Sequence, residues 1–166
     1  MAGTFLALFM IFGAAQVNVS GQEKENDTDQ RTSKNSRKSI VGVWETVVTP
    51  RNCETGAPLA PEFQGLSTYN SGGTYTESSG GGNPTLRSPG HGIWERENGW
   101  RNYSLKFVFL RFNLSGVFIG KQRVFQTVDL SDNGDQLTSS GRFEVLDLNG
   151  NVIASGCSTA TATRFE

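Results

Sequence analysis

The chain has one histidine and two cysteines among its 166 residues, too few for a zinc site built on Cys and His alone. It also lacks a charge excess. With 15 basic and 16 acidic residues the net charge is −1, so no overall field draws it to nucleic acid or to an anionic membrane surface. No helical period runs through residues 40–166, which excludes a helical bundle. There is no Gly-x-Ser-x-Gly elbow and no free thiol beside a histidine, so nucleophilic catalysis has no motif to rest on. The run Ser78-Ser79-Gly80-Gly81-Gly82-Asn83-Pro84 opens no predicted helix and lacks a following Lys-Ser or Lys-Thr, so it reads as a flexible barrel-mouth loop rather than a phosphate cradle. What is present points one way. Twenty glycines, eleven phenylalanines and frequent Ser and Thr describe a turn-rich, β-rich chain of one-domain length.

Residues 2–15 are almost uniformly apolar, centred on Phe5, Leu6, Leu8, Phe9, Met10, Ile11 and Phe12. This run is shorter than the ~20 residues a helix needs to span a bilayer. Small residues follow at signal-peptidase spacing, Gly13 and Ala15 or Val19 and Gly21, and residues 1–21 read as a signal peptide although no Lys or Arg precedes the apolar run. No cysteine lies near the cleavage region, so a lipoprotein anchor is not expected. Residues 22–39 are polar and charged with nothing large and apolar, the composition of a disordered linker. The folded domain is expected over 40–166, in a secreted or periplasmic protein with no membrane insertion after cleavage.

Eight strand-like segments follow, at 41–49, 63–70, 73–79, 91–97, 103–113, 117–130, 136–148 and 152–164, joined mostly by hairpin signals such as Asn70-Ser71-Gly72-Gly73 and Asn149-Gly150-Asn151. A meander of this kind forms a sandwich or an up-and-down barrel. The two ends decide between them. In an antiparallel pair, facing residue numbers sum to a near constant; Trp44 and Arg164 sum to 208, and Cys53 and Cys157 to 210. Parity agrees, with Trp44 and Arg164 on one face and both cysteines on the other. The expectation is therefore an all-β, eight-stranded antiparallel up-and-down barrel whose first and last strands pair, with a Cys53–Cys157 bridge on the outside. The last strand would then turn Ala154, Gly156, Ser158, Ala160 and Ala162 inward, leaving room for bulky neighbours or a cavity.

With Gly42-Val43-Trp44 opening the first strand and Arg164 closing the last, the region from residue 40 to 166 resembles the lipocalin-like barrels of the calycin superfamily. The resemblance implies that Trp44 closes the barrel floor and that Arg164 packs over its indole as a cation–π contact. It makes Gly42, Trp44 and Arg164 structural residues of the floor. The Thr-Asp-Tyr type signature of the larger members is absent.

Three functions compete. The first is a non-enzymatic barrel binding a small, mostly apolar ligand, with Tyr69, Tyr75, Phe107, Phe109, Phe118, Phe125 and Phe143 as its lining. The second is a barrel enzyme of isomerase, cyclase or hydrolase type using His91 and a carboxylate, Glu95 being nearest in pattern. The third is a solid-core structural or protein-interaction module in which the same aromatics fill the interior. No cofactor, metal or nucleic acid is expected. Lys106, Arg111, Lys121, Arg123 and Arg142 read as a solvated outer face diluted by Asp129 and Glu144.

Overall fold

A computed structural model describes residues 38–165; the expected signal peptide and residues 22–37 of the linker lie outside the described residues. Alternation of apolar and polar side chains, with turn residues between, produces eight strands: β1 Gly42–Arg51, β2 Phe63–Tyr69, β3 Thr74–Ser79, β4 Gly90–Arg96, β5 Asn102–Phe112, β6 Phe118–Leu130, β7 Gln136–Leu146 and β8 Val152–Arg164. They close into a barrel in chain order, each strand antiparallel to the next and β1 paired with β8. This is the expected all-β, up-and-down architecture, consistent with a lipocalin-like fold. One turn of 3-10 helix, Pro84–Leu86, interrupts the β3–β4 connection, with the Asn83 side chain accepting from the Thr85 backbone N–H.

One end of the barrel is packed shut. Ile40, Trp44, Tyr103, Val128 and Leu130 have no exposed surface, and Leu105 and Leu137 are nearly as buried. Each large floor side chain with a polar end finds a carbonyl for it: the Trp44 indole N–H donates to Ile40 O at 2.9 Å, Trp94 to Asn70 O at 3.1 Å, and the Tyr103 hydroxyl to Trp100 O at 2.7 Å. Aromatic edges and faces then meet around the wall, with Tyr69–Trp94 centroids 6.3 Å apart and Trp94–Tyr103 5.6 Å apart.

Arg164 holds the seam between first and last strands. In the β1–β8 ladder it stands opposite Trp44, and its guanidinium lies 4.3 Å from the indole centroid. It donates to Val41 O (2.9 Å), Ser39 O (2.7 Å) and Gly134 O (2.7 Å from Nη2), tying the entry segment, the last strand and the β6–β7 turn to one charge. Gly42 is a consequence of this arrangement. Its φ is +143°, and a Cβ there would sit 2.6 Å from Arg164 Nη1.

The second tie is the Cys53–Cys157 disulfide, with Cα atoms 5.2 Å apart and a sequence separation of 104. The ladder itself pairs Arg51, not Cys53, with Cys157. The offset of two has a local cause: β1 ends at Arg51, and the chain turns at Asn52, whose side chain accepts from the N–H groups of Glu54 and Thr55. That turn folds Cys53 back over the last strand.

Arg164→Ala should cost about 2–4 kcal/mol in urea unfolding, because it leaves three carbonyls without a charged donor and uncovers Trp44. Arg164→Lys should recover only part of the loss, since an ammonium cannot span all three acceptors. Replacing both cysteines by serine should cost up to ~4.7 kcal/mol, the chain-entropy value for a loop of this length.

Candidate functional site

Above the floor the interior is not filled. A cavity of about 230 Å³ opens toward the end of the barrel carrying the β1–β2, β3–β4, β5–β6 and β7–β8 loops. One wall is aromatic: Tyr69, Tyr75, Phe107 and Phe109, inward-facing on β2, β3 and β5. Tyr69 and Tyr75 pack edge to face with centroids 4.8 Å apart, and Tyr75 lies 5.3 Å from Phe107. Across the space β8 presents Ser158, Ala160 and Ala162, so small residues on one side make the room that rings occupy on the other.

Most of the uncharged polar side chains inside the barrel are satisfied within two hydrogen-bonded groups. Tyr75 hydroxyl and Ser67 Oγ are 3.0 Å apart, and Ser67 continues to Thr46 Oγ1 at 3.1 Å. On the facing wall Ser139 donates to Gln126 Oε1 at 2.8 Å, and Gln126 Nε2 donates to Ser158 at 3.4 Å. Burial pushes the Tyr75 and Tyr69 phenols above their ordinary value of 10, so both remain neutral.

The third group is an ion pair. Arg87, arriving from the β3–β4 connection, dips into the mouth and donates through Nη2 to Glu77 Oε1, while its plane stacks 3.6 Å from the Phe109 centroid. The two side chains are only 16% and 8% exposed. Gly90, the β4 partner of Glu77, leaves the space the carboxyl occupies; a Cβ at Gly90 would collide with Glu77 Oε1. Burial raises the Glu77 carboxyl above its ordinary 4.5, opposed by the Arg87 charge and by hydrogen bonds from Arg87 and the Gly90 backbone.

The structure brings together five of the seven aromatics expected to line the interior: Tyr69, Tyr75, Phe107, Phe109 and Phe143. It does not bring in the other two. Phe125 alternates with the inward Val124 and Gln126, so it faces outward, beneath Arg142 at 4.9 Å. Phe118 has the right parity but follows a register shift: Arg111 pairs with Gly120 and Phe112 with Phe118, so one extra residue turns Phe118 to the outer face beside Phe112, ring centroids 6.1 Å apart. His91 and Glu95 are likewise outside. Both are exposed on β4, where Gly90, Gly92 and Trp94 take the more buried face, so the pair expected to act as a catalytic base lies away from the cavity. Lys106, Lys121, Arg123 and Arg142 are exposed on the outer surface, and Arg123 and Arg142 both pair with Glu144 at 3.0 Å; Arg111, expected with them, is half-buried on the face of Phe109 and bridges to Arg87 at the rim.

No protein-family model matches the chain, and no curated protein matches it. The site must be read from its own chemistry.

Glu77, Arg87, Gln126 and the hydroxyls of Thr46, Ser67 and Ser139 are not among the residues the sequence singles out. For Glu77 a signal existed, since an inward Tyr75 places residue 77 on the same face. For Arg87 there was none, because it sits in a connection whose path only the fold defines.

The raised Glu77 carboxyl has a measurable consequence. Between pH 4.5 and its higher value in the fold, the folded chain holds a proton that the unfolded chain has released. Its contribution to stability is thus complete below pH 4.5 and is lost as pH rises through the folded value. In urea unfolding at pH 4 to 7, the stability difference between Glu77→Gln and wild type should move in favour of the variant as pH rises. A difference independent of pH would contradict the burial argument.

Proposed function

We propose that this protein is a secreted barrel related to the calycins that holds one small, mostly apolar molecule in its interior. The observation that carries the reading is the cavity of about 230 Å³, walled by Tyr69, Tyr75, Phe107 and Phe109 on one side and by small β8 residues on the other. A cavity of ~150 Å³ suffices for benzene, so this one suits a single ring with a short substituent. A solid-core module would have used the inward β8 positions for larger side chains. The disulfide supports an oxidising compartment and so favours secretion. Among the described residues no helix is long and apolar enough to cross a membrane. Gly42, Trp44 and Arg164, in the arrangement that the lipocalin resemblance implies, support the calycin relationship.

An enzymatic reading survives in altered form. The acid available to a molecule in the cavity is Glu77, neighboured by Tyr75 and Arg87, rather than His91 or Glu95. Its ion pair with Arg87 favours recognition over proton transfer.

Protein purified from a secreting host and sprayed under native conditions should retain an organic adduct that denaturation releases. Added at 100 times its Kd, the released compound should stabilise the barrel by ~2.7 kcal/mol and raise Tm by roughly 8 °C. Ala160→Phe, which pushes a ring into the cavity, should abolish both the adduct and the shift while leaving the β-sheet circular dichroism intact. Retention of the adduct by that variant would place the binding elsewhere.

A further inference from the structure

Among the described residues that line the cavity, Arg87 is the one cation and Glu77 the one carboxylate, and they are paired with each other. The residues lining the cavity are therefore polar at its mouth but carry no net charge between them, and the nearest further cation, Arg111, lies beyond them at the rim, where its backbone bridges to that of Arg87. This balance is built in: Gly90 makes room for the carboxyl, and Phe109 supports the guanidinium plane.

The pair does not use all of its hydrogen-bonding capacity. Arg87 gives Nη2 to Glu77 and Nε to the Ser88 carbonyl at 3.2 Å, and its Nη1 has no partner among the described residues. Gln122 lines the same space with its side-chain amide unpartnered among the described residues. The ladder puts Gln122 directly opposite Phe109, the ring on which Arg87 stacks. Arg87 Nη1 and the Gln122 amide thus stand at one level of the barrel, flanking one ring. No buried polar side-chain atom of the described residues lacks a hydrogen bond, so the spare groups are those that face open space.

We infer that the molecule bound in this barrel is electrically neutral and presents a carbonyl-type oxygen to Arg87 and Gln122, with its apolar ring against Tyr75 and Phe107. The inference rests on the small-molecule reading above and narrows it. A neutral acceptor satisfies donors that otherwise rely on trapped water, and it leaves the Arg87–Glu77 pair intact. An anionic head would meet a guanidinium already neutralised and would add an unbalanced negative charge beside Glu77. A cationic head would face Arg87 with the same difficulty reversed. The barrel mouth accordingly selects by charge as well as by shape.

Four probes sharing one ring test this: toluene, benzamide, benzoate and benzylammonium, titrated at pH 7 by protein-observed NMR into wild type, Glu77→Gln and Gln122→Leu. Wild type should bind benzamide at least tenfold more tightly than benzoate or benzylammonium. In Glu77→Gln the cavity gains a net positive charge, and benzoate should overtake benzamide. In Gln122→Leu, benzamide should lose about tenfold while toluene is held as before. The same spectra report whether each variant is folded, and the wild-type order stands as a test even if a variant is not. Benzoate bound by wild type as tightly as benzamide overturns the inference, as does a Glu77→Gln barrel that is folded and still prefers benzamide. Toluene binding without any charge order removes this inference and leaves the small-molecule reading standing. Failure of all four probes to bind wild type overturns both.

Discussion

An eight-stranded meander is a sheet with two edges until something holds its first and last strands together, and here the Arg164 guanidinium performs that closure at the floor. A single planar cation lies over Trp44 and satisfies carbonyls from the entry segment and from the β6–β7 turn. Carbonyls alone do not fix where a strand ends, and an indole alone does not fix a register. Joined through one charge, they reinforce the register of the β1–β8 ladder, in which Trp44 stands opposite Arg164. From that register follows the face of every side chain in both strands, and hence the small inward set Ser158, Ala160 and Ala162. The cavity is a downstream consequence of the seam.

The interior shows how a barrel of this size handles polarity. Most hydroxyls and amides are placed in hydrogen-bonded groups, such as Tyr75 with Ser67 and Ser139 with Gln126, so that apolar space remains between them and the Gln122 amide is left facing it. The charged pair is kept at the mouth, where desolvation is incomplete and Phe109 supplies a face for the cation. Apart from the Arg164 guanidinium over Trp44, the floor is built of apolar groups and aromatic rings whose polar ends reach carbonyls. Polarity increases from floor to mouth, and a ligand entering the barrel would experience that gradient.

Much of the fold was legible in the chain because strands write their geometry with a period of two. The strand positions, the closed order, the seam and the side on which the disulfide lies all follow from parity and from two matched ends. Parity fails wherever a residue is inserted, and Phe118 shows the cost: the shift at Arg111 and Phe112 reverses its face, and its one mark in the chain is Gly120, a strand glycine at φ +134°. Phe125 was a different error, since its neighbours Val124 and Gln126 already assign it to the outside. The site was less legible than the fold. Charged residues in alternating strands normally mark solvent, which hid Glu77, and Arg87 reaches the cavity from a connection with no period at all. His91 drew attention as the lone histidine, yet chemical reactivity says nothing about which side of a sheet a residue occupies.

Ser39 and Phe165, the two places where the described chain enters and leaves the barrel, are both held at the floor, by Arg164 and by the Phe165 N–H to Val43 O hydrogen bond. The open end lies a full barrel height away from either. Whatever precedes or follows this domain is thereby attached at its base, like the stem of a cup. A surface or tag joined at either end of the described chain is thus attached at the end of the barrel opposite the rim.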